Sequence, residues 1–253
     1  MRRRARLDML LAIGLLLLLV GSSADAVHPD SVGVWLFDEG QGNAVVDLSG
    51  HGHNGVAVGG DLEWDAGKVG TAARFKPGVH VEVPHTNTLN LEQFTVEAWV
   101  NFIADTGGGE QNIAYKQVGD DRLTRNYTLK MWNGNIYGIF ASGGNTDAVE
   151  LVSVTAVTDA QWHHVAVTYD LKTARLYIDG QLEAEGDLTD TPETNDAPIR
   201  IGAGIDGLID ELQILRVALT ADEIAAVMSG GIQLAVHPAG KVTTTWGRMK
   251  ATR

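Results

Sequence analysis

Short apolar segments separated by turn residues recur along almost the whole chain, and this pattern restricts the fold more than any other feature. The segments are rich in β-branched and aromatic residues, and glycine, asparagine, aspartate or proline stands between them, which is typical of strands joined by tight turns. The predicted strands are residues 33–37, 72–75, 79–83, 94–102, 112–116, 127–132, 136–141, 149–154, 162–170, 174–178, 181–185, 199–202 and 208–215. Long helical periodicity is almost absent, so we expect an all-β sandwich of stacked sheets.

Alternation within the segments indicates which side chains enter the core. In residues 94–102 the apolar side chains from Phe94 to Phe102 alternate with a second set that includes Glu97 and Trp99. The clearest hairpin is predicted around Asp179-Gly180, because this dipeptide accepts the positive φ angles of a type I′ turn.

One short helix is expected after the last predicted strand. Thr220 is a suitable N-cap, acidic residues occupy the first turn, and Gly230-Gly231 would end the helix. We expect this helix to cover one end of the sandwich.

The N-terminal segment has the form of a cleavable signal peptide. Four arginines within the first six residues precede an apolar run over residues 9–20, and Ala24-Asp25-Ala26 matches the small-x-small pattern of a cleavage site. The alternative is a retained membrane anchor, but the run is short for a spanning helix. We expect cleavage after Ala26, no membrane span after it, and a secreted, periplasmic or extracellular location.

Charge and cysteine content exclude several classes of function. The formal net charge is −13, which argues against nucleic acid as a partner because a phosphate-binding face needs clustered lysine and arginine. The chain has no cysteine, so a hydrophobic core must supply the stability that disulfides provide in many secreted domains. Residues 229–253 form a separate basic tail, which is either loosely packed or an appended strand or attachment segment.

Several stretches together resemble a known family. These are VWLFDEG at 34–40, DLSG at 47–50, NG at 54–55, FTVEAWV at 94–100, WHHVAVTYD at 162–170, LYIDG at 176–180 and GLIDELQIL at 207–215. In this order they resemble the laminin G-like jelly-roll domains of the concanavalin A-like lectin/glucanase superfamily, over residues 32–228. The resemblance implies two packed antiparallel sheets, one of them concave, with ligand loops at the rim and frequently one bound calcium. It does not imply a single function, because this sandwich is shared by lectins, adhesion modules and some glycosidases.

Calcium is the first predicted ligand. Loops rich in aspartate, asparagine and glycine suit a hard cation that takes six to eight oxygen ligands. We predict carboxylate ligands from Glu39, Asp47 and, if the terminal strands are neighbours as the resemblance suggests, Asp210, with carbonyl oxygens near Gly42 and Asn43. The alternative is that these are turn residues that bond their own backbone.

Two other kinds of site are disfavoured. A zinc site at His51 and His53 would need both rings on one side, whereas an extended segment points them apart. Glycoside hydrolysis needs two convergent carboxylates, but Asp210 and Glu211 are adjacent and would point to opposite faces of a strand. We therefore expect no catalytic residues, with a hydrolase as the weakest of the alternatives.

Carbohydrate binding requires exposed aromatic rings with polar groups beside them. Candidate ligand-binding residues are Trp99, Trp132, Asn133 and Tyr137, of which Trp132 is expected at an exposed hairpin end. The sequence thus predicts a secreted, non-catalytic binding module, stabilised by calcium, whose partner is carbohydrate or a cell-surface glycan. The alternative is an adhesion or structural module whose partner is a protein.

Overall fold

The computed structural model describes residues 27–102, 109–119, 121–142, 148–188, 190–230 and 232. The predicted signal peptide and residues 231 and 233–253 of the predicted tail lie outside these ranges. None of the helices within the described ranges has the length and apolar character needed to cross a membrane.

Sixteen strands and one α-helix form the described part of the chain. Every predicted strand is present, with ends within two residues of the expected ones. The strands are β1 (Ser31–Trp35), β2 (Ala44–Val45), β3 (Gly55–Val58), β4 (Glu63–Ala66), β5 (Thr71–Phe75), β6 (His80–Val83), β7 (Phe94–Phe102), β8 (Gln111–Lys116), β9 (Tyr127–Trp132), β10 (Asn135–Ala141), β11 (Ala148–Ala156), β12 (His163–Tyr169), β13 (Thr173–Ile178), β14 (Gln181–Asp187), β15 (Ile199–Ala203) and β16 (Gly207–Leu215), and the helix is α1 (Ala221–Gly230).

The strands form two sheets packed face to face as a jelly-roll sandwich. The front sheet has the order β11-β10-β9-β8-β15-β6-β3-β2, and the back sheet has the order β14-β13-β12-β7-β16-β5-β4, with β1 also paired to β16. The described pairings are antiparallel. The predicted all-β class and jelly-roll architecture are confirmed.

The core lies between the sheets and follows the predicted alternation. Phe94 in β7 points inward, where its ring meets Phe140 of the front sheet at 5.3 Å between centroids. Tyr169 in β12 packs on the same Phe140 ring at 4.5 Å. Because inward side chains alternate with outward ones, each buried strand also presents a second row on the outer face of its sheet.

The predicted Asp179-Gly180 hairpin is confirmed. Ile178 pairs with Gln181, and the two turn residues have φ angles of 49° and 75°, as a type I′ turn requires. The Asp179 side chain also accepts a hydrogen bond from the backbone amide of His164, which ties the turn to β12.

Helix α1 is present, but its position differs from the prediction. The backbone amide of Thr220 donates to Glu223 Oε2 while the amide of Glu223 donates to Thr220 Oγ1, which is a capping box. Ile224 and Val227 pack against Tyr177 and other apolar side chains on the outer face of the back sheet. The helix therefore covers that face and not one end of the sandwich, because the face offers an apolar row for it to bury.

The expected separation of Asp210 and Glu211 is wrong. A β-bulge shifts the pairing of β16 with β7 between Asp210 and Gln213, and Glu211 takes a φ of 49°. Asp210 lies opposite Trp99 on the outer side, and Glu211 accepts a hydrogen bond from the backbone amide of Ile232, which belongs to the cluster around α1. The bulge thus places both carboxylates on the outer side of the back sheet.

Candidate functional site

A pair of aromatic rings lies on the outer face of the front sheet, at the β9–β10 hairpin. Trp132 pairs with Asn135 across a two-residue turn in which Asn133 and Gly134 have φ angles of 52° and 83°. Tyr137 lies two residues after Asn135 on the same face of the sheet. Its ring centroid is 5.8 Å from that of Trp132, and the interplanar angle is 46°. Trp132 is 44% exposed, as expected for a hairpin end.

A buried lysine lies close to both rings. Lys130 lies opposite Tyr137 in the pairing of β9 with β10, and its Nζ is 5.6 Å from the Trp132 centroid and 5.7 Å from the Tyr137 centroid. These distances are within cation–π range. Because the Lys130 side chain is only 4% exposed, it contributes almost nothing to the accessible surface of the site.

The lysine connects the aromatic pair to an exposed carboxylate. Lys130 Nζ donates to Glu110 Oε1 at 2.5 Å, and Arg125 Nη2 donates to the same atom at 3.2 Å. Burial raises the pKa of Glu110, but the hydrogen bonds and charges of Lys130 and Arg125 outweigh burial and lower it overall. An ionised acceptor that is 42% exposed therefore lies beside the aromatic pair.

Two valines extend the apolar part of this face. Val152 in β11 lies opposite Tyr137, and Val154 follows two residues along the same strand, with 84% of its surface exposed. An apolar patch that adjoins an ionised acceptor suits a ligand with one apolar and one hydroxyl-bearing face. We call the surface formed by Trp132, Tyr137, Lys130 and Glu110 the aromatic site.

Of the other two candidate ligand-binding residues, Asn133 lies beside the aromatic site and Trp99 lies away from it. Asn133 is exposed in the turn beside Trp132, where its main role in the structure is the positive φ of the turn. Trp99 is in β7 of the back sheet and only 6% exposed, with its ring edge against His164 and Lys68 Nζ 4.1 Å above it. Trp99 is therefore not part of the aromatic site, because Trp99 belongs to the back sheet and the aromatic site belongs to the front sheet.

The predicted calcium ligands fit a cation only in part. The Asp47 carboxylate accepts hydrogen bonds from the backbone amides of Val34, Ser49 and His53 and from the Ser49 hydroxyl, so it organises its own loop. The carbonyl oxygens of Gly42 and Asn43 accept from Trp64 Nε1 and from the amide of Ala57. Within the described ranges, no three His, Cys, Asp or Glu side chains are grouped closely enough to hold a metal ion.

Two members of the predicted calcium set do keep an oxygen without a hydrogen-bond partner. These buried atoms are Glu39 Oε2 and Asp210 Oδ1. Burial raises the pKa of Asp210 to about 7, with the nearby charge of Glu211 acting in the same direction, against a hydrogen bond from the amide of Val69. Calcium binding at Glu39, Gly42, Asn43, Asp47 and Asp210 stays a prediction.

The reason given against zinc at His51 and His53 is wrong in its geometry. Side chains two residues apart lie on the same side of an extended segment, and in the structure the two rings stack at 5.7 Å between centroids. His53 is nevertheless engaged on both nitrogens, since Nδ1 bonds the Val32 carbonyl oxygen and Nε2 lies within 3.0 Å of two threonine hydroxyls.

Two buried ionisable side chains, Glu97 and His164, lie on the outer face of the back sheet. Glu97 and His164 are 0% and 1% exposed in their side chains, and Glu97 Oε2 is 3.6 Å from His164 Nε2, beyond hydrogen-bond distance. Burial raises the pKa of Glu97 to about 8 and lowers that of His164 to about 4. Because its side chain is fully buried, Glu97 is inaccessible to a substrate.

Several residues of the aromatic site were not predicted. Lys130 lies two residues before Trp132 in the same strand, so alternation alone would have placed both on one face. Glu110 and Arg125 are brought together only by the packing of β8 with the segment before β9, and no local pattern marks either of them.

Comparison with known proteins extends these findings. The family model described as the concanavalin A-like lectin/glucanases superfamily matches residues 76–225. A search of curated protein sequences gives no match.

Solved structures share the fold at low sequence identity. Domain 4 of AbnA, a GH43 extracellular arabinanase from Geobacillus stearothermophilus solved in complex with arabinotriose, has a TM-score of 0.64 at 21% identity, covering 78% of this chain and 97% of that domain. The binding domain of Paraclostridial Mosquitocidal Protein 1 has a TM-score of 0.63 at 16% identity, covering 78% and 51%. The receptor binding domain of botulinum neurotoxin D has a TM-score of 0.59 at 19% identity, covering 80% and 53%. The chain thus spans about half of each toxin domain, and at these identities the likeness shows the fold alone.

Proposed function

Because the chain belongs to the concanavalin A-like lectin/glucanases superfamily, we propose that it is a non-catalytic module that binds carbohydrate outside the cytoplasm, through the aromatic site on the front sheet. The observation that carries this proposal is the pairing of Trp132 and Tyr137, 5.8 Å apart on an exposed sheet face beside the ionised acceptor Glu110. The flat faces of sugar rings stack on such aromatic pairs, and their hydroxyls donate to carboxylates. The structural neighbours named for binding domains and for bound arabinotriose support the proposal.

A glycan array with the purified protein tests the proposal. We expect binding to a coherent set of glycans, and we expect Trp132→Ala to weaken it about tenfold or more, because the exposed ring supplies most of the apolar contact. Since Trp132 is half-exposed, the variant should unfold at nearly the same temperature as the wild type.

The matched control is Val56→Ala, which removes a 51% exposed apolar side chain from β3, at the other side of the same sheet. It should bind like the wild type. Equal loss in both variants, or unchanged binding by Trp132→Ala, would place the ligand elsewhere and contradict the proposed site.

A protein partner is the second candidate function. The exposed apolar side chains of Val152 and Val154 continue the aromatic pair along β11 and would suit an adhesion contact. If the folded protein binds no glycan on the array, this candidate is favoured. Release of reducing sugar by the purified protein would instead favour a hydrolase.

We also propose calcium as a stabilising ligand, involving Asp210. A ligand that binds only the folded state raises the free energy of unfolding by about 2.7 kcal/mol at a hundredfold excess over Kd. Thermal unfolding in millimolar calcium should therefore occur several degrees above the value in EDTA, and Asp210→Asn should remove the difference. The exposed Asp65→Asn serves as the control. Identical unfolding temperatures of the wild type in calcium and in EDTA would exclude this role.

A further inference from the structure

We propose that the ligand is an uncharged oligosaccharide longer than a disaccharide, which extends from the aromatic site to a second subsite at Tyr115 and Arg200. This inference rests on the proposed carbohydrate binding of the same sheet face and specifies its ligand class.

The second subsite is a pocket of about 360 Å³ beside β8 and β15. Its lining includes Tyr115, Gln117, Pro198 and Arg200. Arg200 Nη1 donates to the Tyr115 hydroxyl at 3.4 Å, and Arg200 Nε donates to Glu82 Oε2 at 3.3 Å. The pocket thus combines a half-exposed aromatic ring with oriented polar groups, which is the combination already found at the aromatic site.

Strand register places the two subsites on one face. Tyr115 lies opposite Thr128 of β9 and opposite Arg200 of β15, while Lys130, two residues after Thr128, lies opposite Tyr137. Residues that are directly opposite share a face, so Tyr137 and Tyr115 both point outward, two strands and one side-chain repeat apart. That offset corresponds to about 12 Å. One sugar ring cannot cover this separation, whereas a chain of several rings can.

A continuous chain of polar contacts joins the two subsites. Glu110 of the aromatic site accepts from Arg125 Nη2, and Arg125 Nε donates to Gln117 Oε1 at 2.6 Å. Gln117 in turn lines the second pocket. Between the subsites, the buried Thr128 Oγ1 and Asn112 Oδ1 have no hydrogen-bond partner. Such groups in a native structure call for water or a ligand to complete them.

The charges on this face favour an uncharged ligand. Lys130 and Arg125 are 4% and 5% exposed in their side chains and share the carboxylate of Glu110, and Arg200 is paired with Glu82. Arg200 is itself 45% exposed, but its charge is balanced by Glu82, so the two exposed carboxylates of Glu110 and Glu82 outnumber the one exposed cation. These carboxylates accept hydrogen bonds from hydroxyls and repel anions. The net charge of −13 acts in the same direction at longer range.

The test is titration of the purified wild type with neutral gluco-, xylo- and arabino-oligosaccharides from mono- to hexasaccharide, and with oligogalacturonides of the same lengths. Affinity should rise with length beyond the disaccharide and then level off, with the oligogalacturonides weaker. Tyr115→Ala should weaken the affinity for the long ligands about tenfold and leave the affinity for the shortest detectable ligand unchanged. Trp132→Ala should weaken every length.

Each other outcome has a distinct meaning. Equal affinity for a monosaccharide and a hexasaccharide, or unchanged affinity of Tyr115→Ala for the long ligands, would overturn the second subsite while leaving carbohydrate binding intact. Preference for the oligogalacturonides would overturn the uncharged class. Absence of binding by the folded wild type to every ligand would overturn the proposed function itself, and this inference with it.

Discussion

Replacing Lys116 by methionine is expected to lower the free energy of unfolding by about 2–4 kcal/mol, because it leaves several partly buried acceptors without a donor. Lys116 is fully buried at the end of β8. Its Nζ donates to the carbonyl oxygens of Asn195 and Ala197 at 2.7 Å each and to Asn195 Oδ1 at 3.1 Å, and His85 Nδ1 is also 3.1 Å away. Methionine preserves the volume but supplies no hydrogen.

The hydrogen bonds of Lys116 outweigh the cost of removing its ammonium group from water. Burial lowers the pKa of Lys116 to about 8, against the opposing charge of Asp196, so the ammonium is held there at the expense of its hydration. The segment around Asn195 is held in both directions, because the Asn195 side chain also donates to the carbonyl oxygens of Lys116 and Thr124. The internal ammonium thus holds the segment before β15 against the end of β8, next to the second pocket.

Urea unfolding of Lys116→Met checks the prediction. The control is Lys172→Met, which removes an exposed lysine from the turn before β13 and should change the free energy of unfolding by less than about 0.5 kcal/mol. Equal stability of Lys116→Met and the wild type would mean that water replaces the ammonium as the donor to Asn195 and Ala197.

The strands could be predicted from sequence where they are buried on at least one side. Strict alternation predicts a strand over Phe94–Phe102, and β7 begins and ends at the predicted residues. The missed strands β2, β3 and β4 are short and largely exposed, so they have no apolar row. Glu63–Ala66, for example, is a strand because it pairs with Thr71–Phe75, and that pairing depends on contacts that no local pattern encodes.

The candidate site was predictable only in its local part. Trp132 and Tyr137 are joined by one hairpin, whose Asn133-Gly134 turn is visible in the sequence. Glu110 and Arg125 approach Lys130 through tertiary packing, which alternation cannot reveal. The bulge at Asp210 and Glu211 likewise inserts one residue into the ladder, so counting along the strand gave the wrong face.

The second large effect is expected from Glu97→Gln, which should stabilise the protein increasingly as the pH rises. Burial raises the pKa of Glu97 from 4.5 to about 8, so the folded protein keeps a proton that the unfolded chain releases above pH 4.5. The stability associated with neutral Glu97 is fully present below pH 4.5 and is lost as the pH rises through about 8. Glutamine is neutral at every pH, so the variant should exceed the wild type by about 3 kcal/mol at pH 7 and by under about 1 kcal/mol at pH 5.

The neighbouring His164 imposes the opposite trend at lower pH. Burial lowers its pKa from 6.5 to about 4, so the folded protein binds fewer protons than the unfolded chain between these values. The stability that neutral His164 provides is present above pH 6.5 and is lost as the pH falls through about 4. Between pH 4.5 and 6.5 the two residues together hold one proton in either state, and their contributions to the pH dependence cancel.

The difference in unfolding free energy between Glu97→Gln and the wild type, measured from pH 4 to 9, isolates the carboxyl group. This comparison is needed because His163 also loses stabilisation at high pH: burial lowers its pKa, but the carboxylates of Asp179 and Asp159 outweigh burial and raise it. That contribution is common to both proteins and drops out of the difference. A difference that rises to a plateau near pH 8 supports a neutral Glu97 that is buried on the outer face of the back sheet. A difference that is flat with pH would mean that water or another cation reaches the carboxylate, and the outer face of the back sheet would then have to be treated as open to ligands.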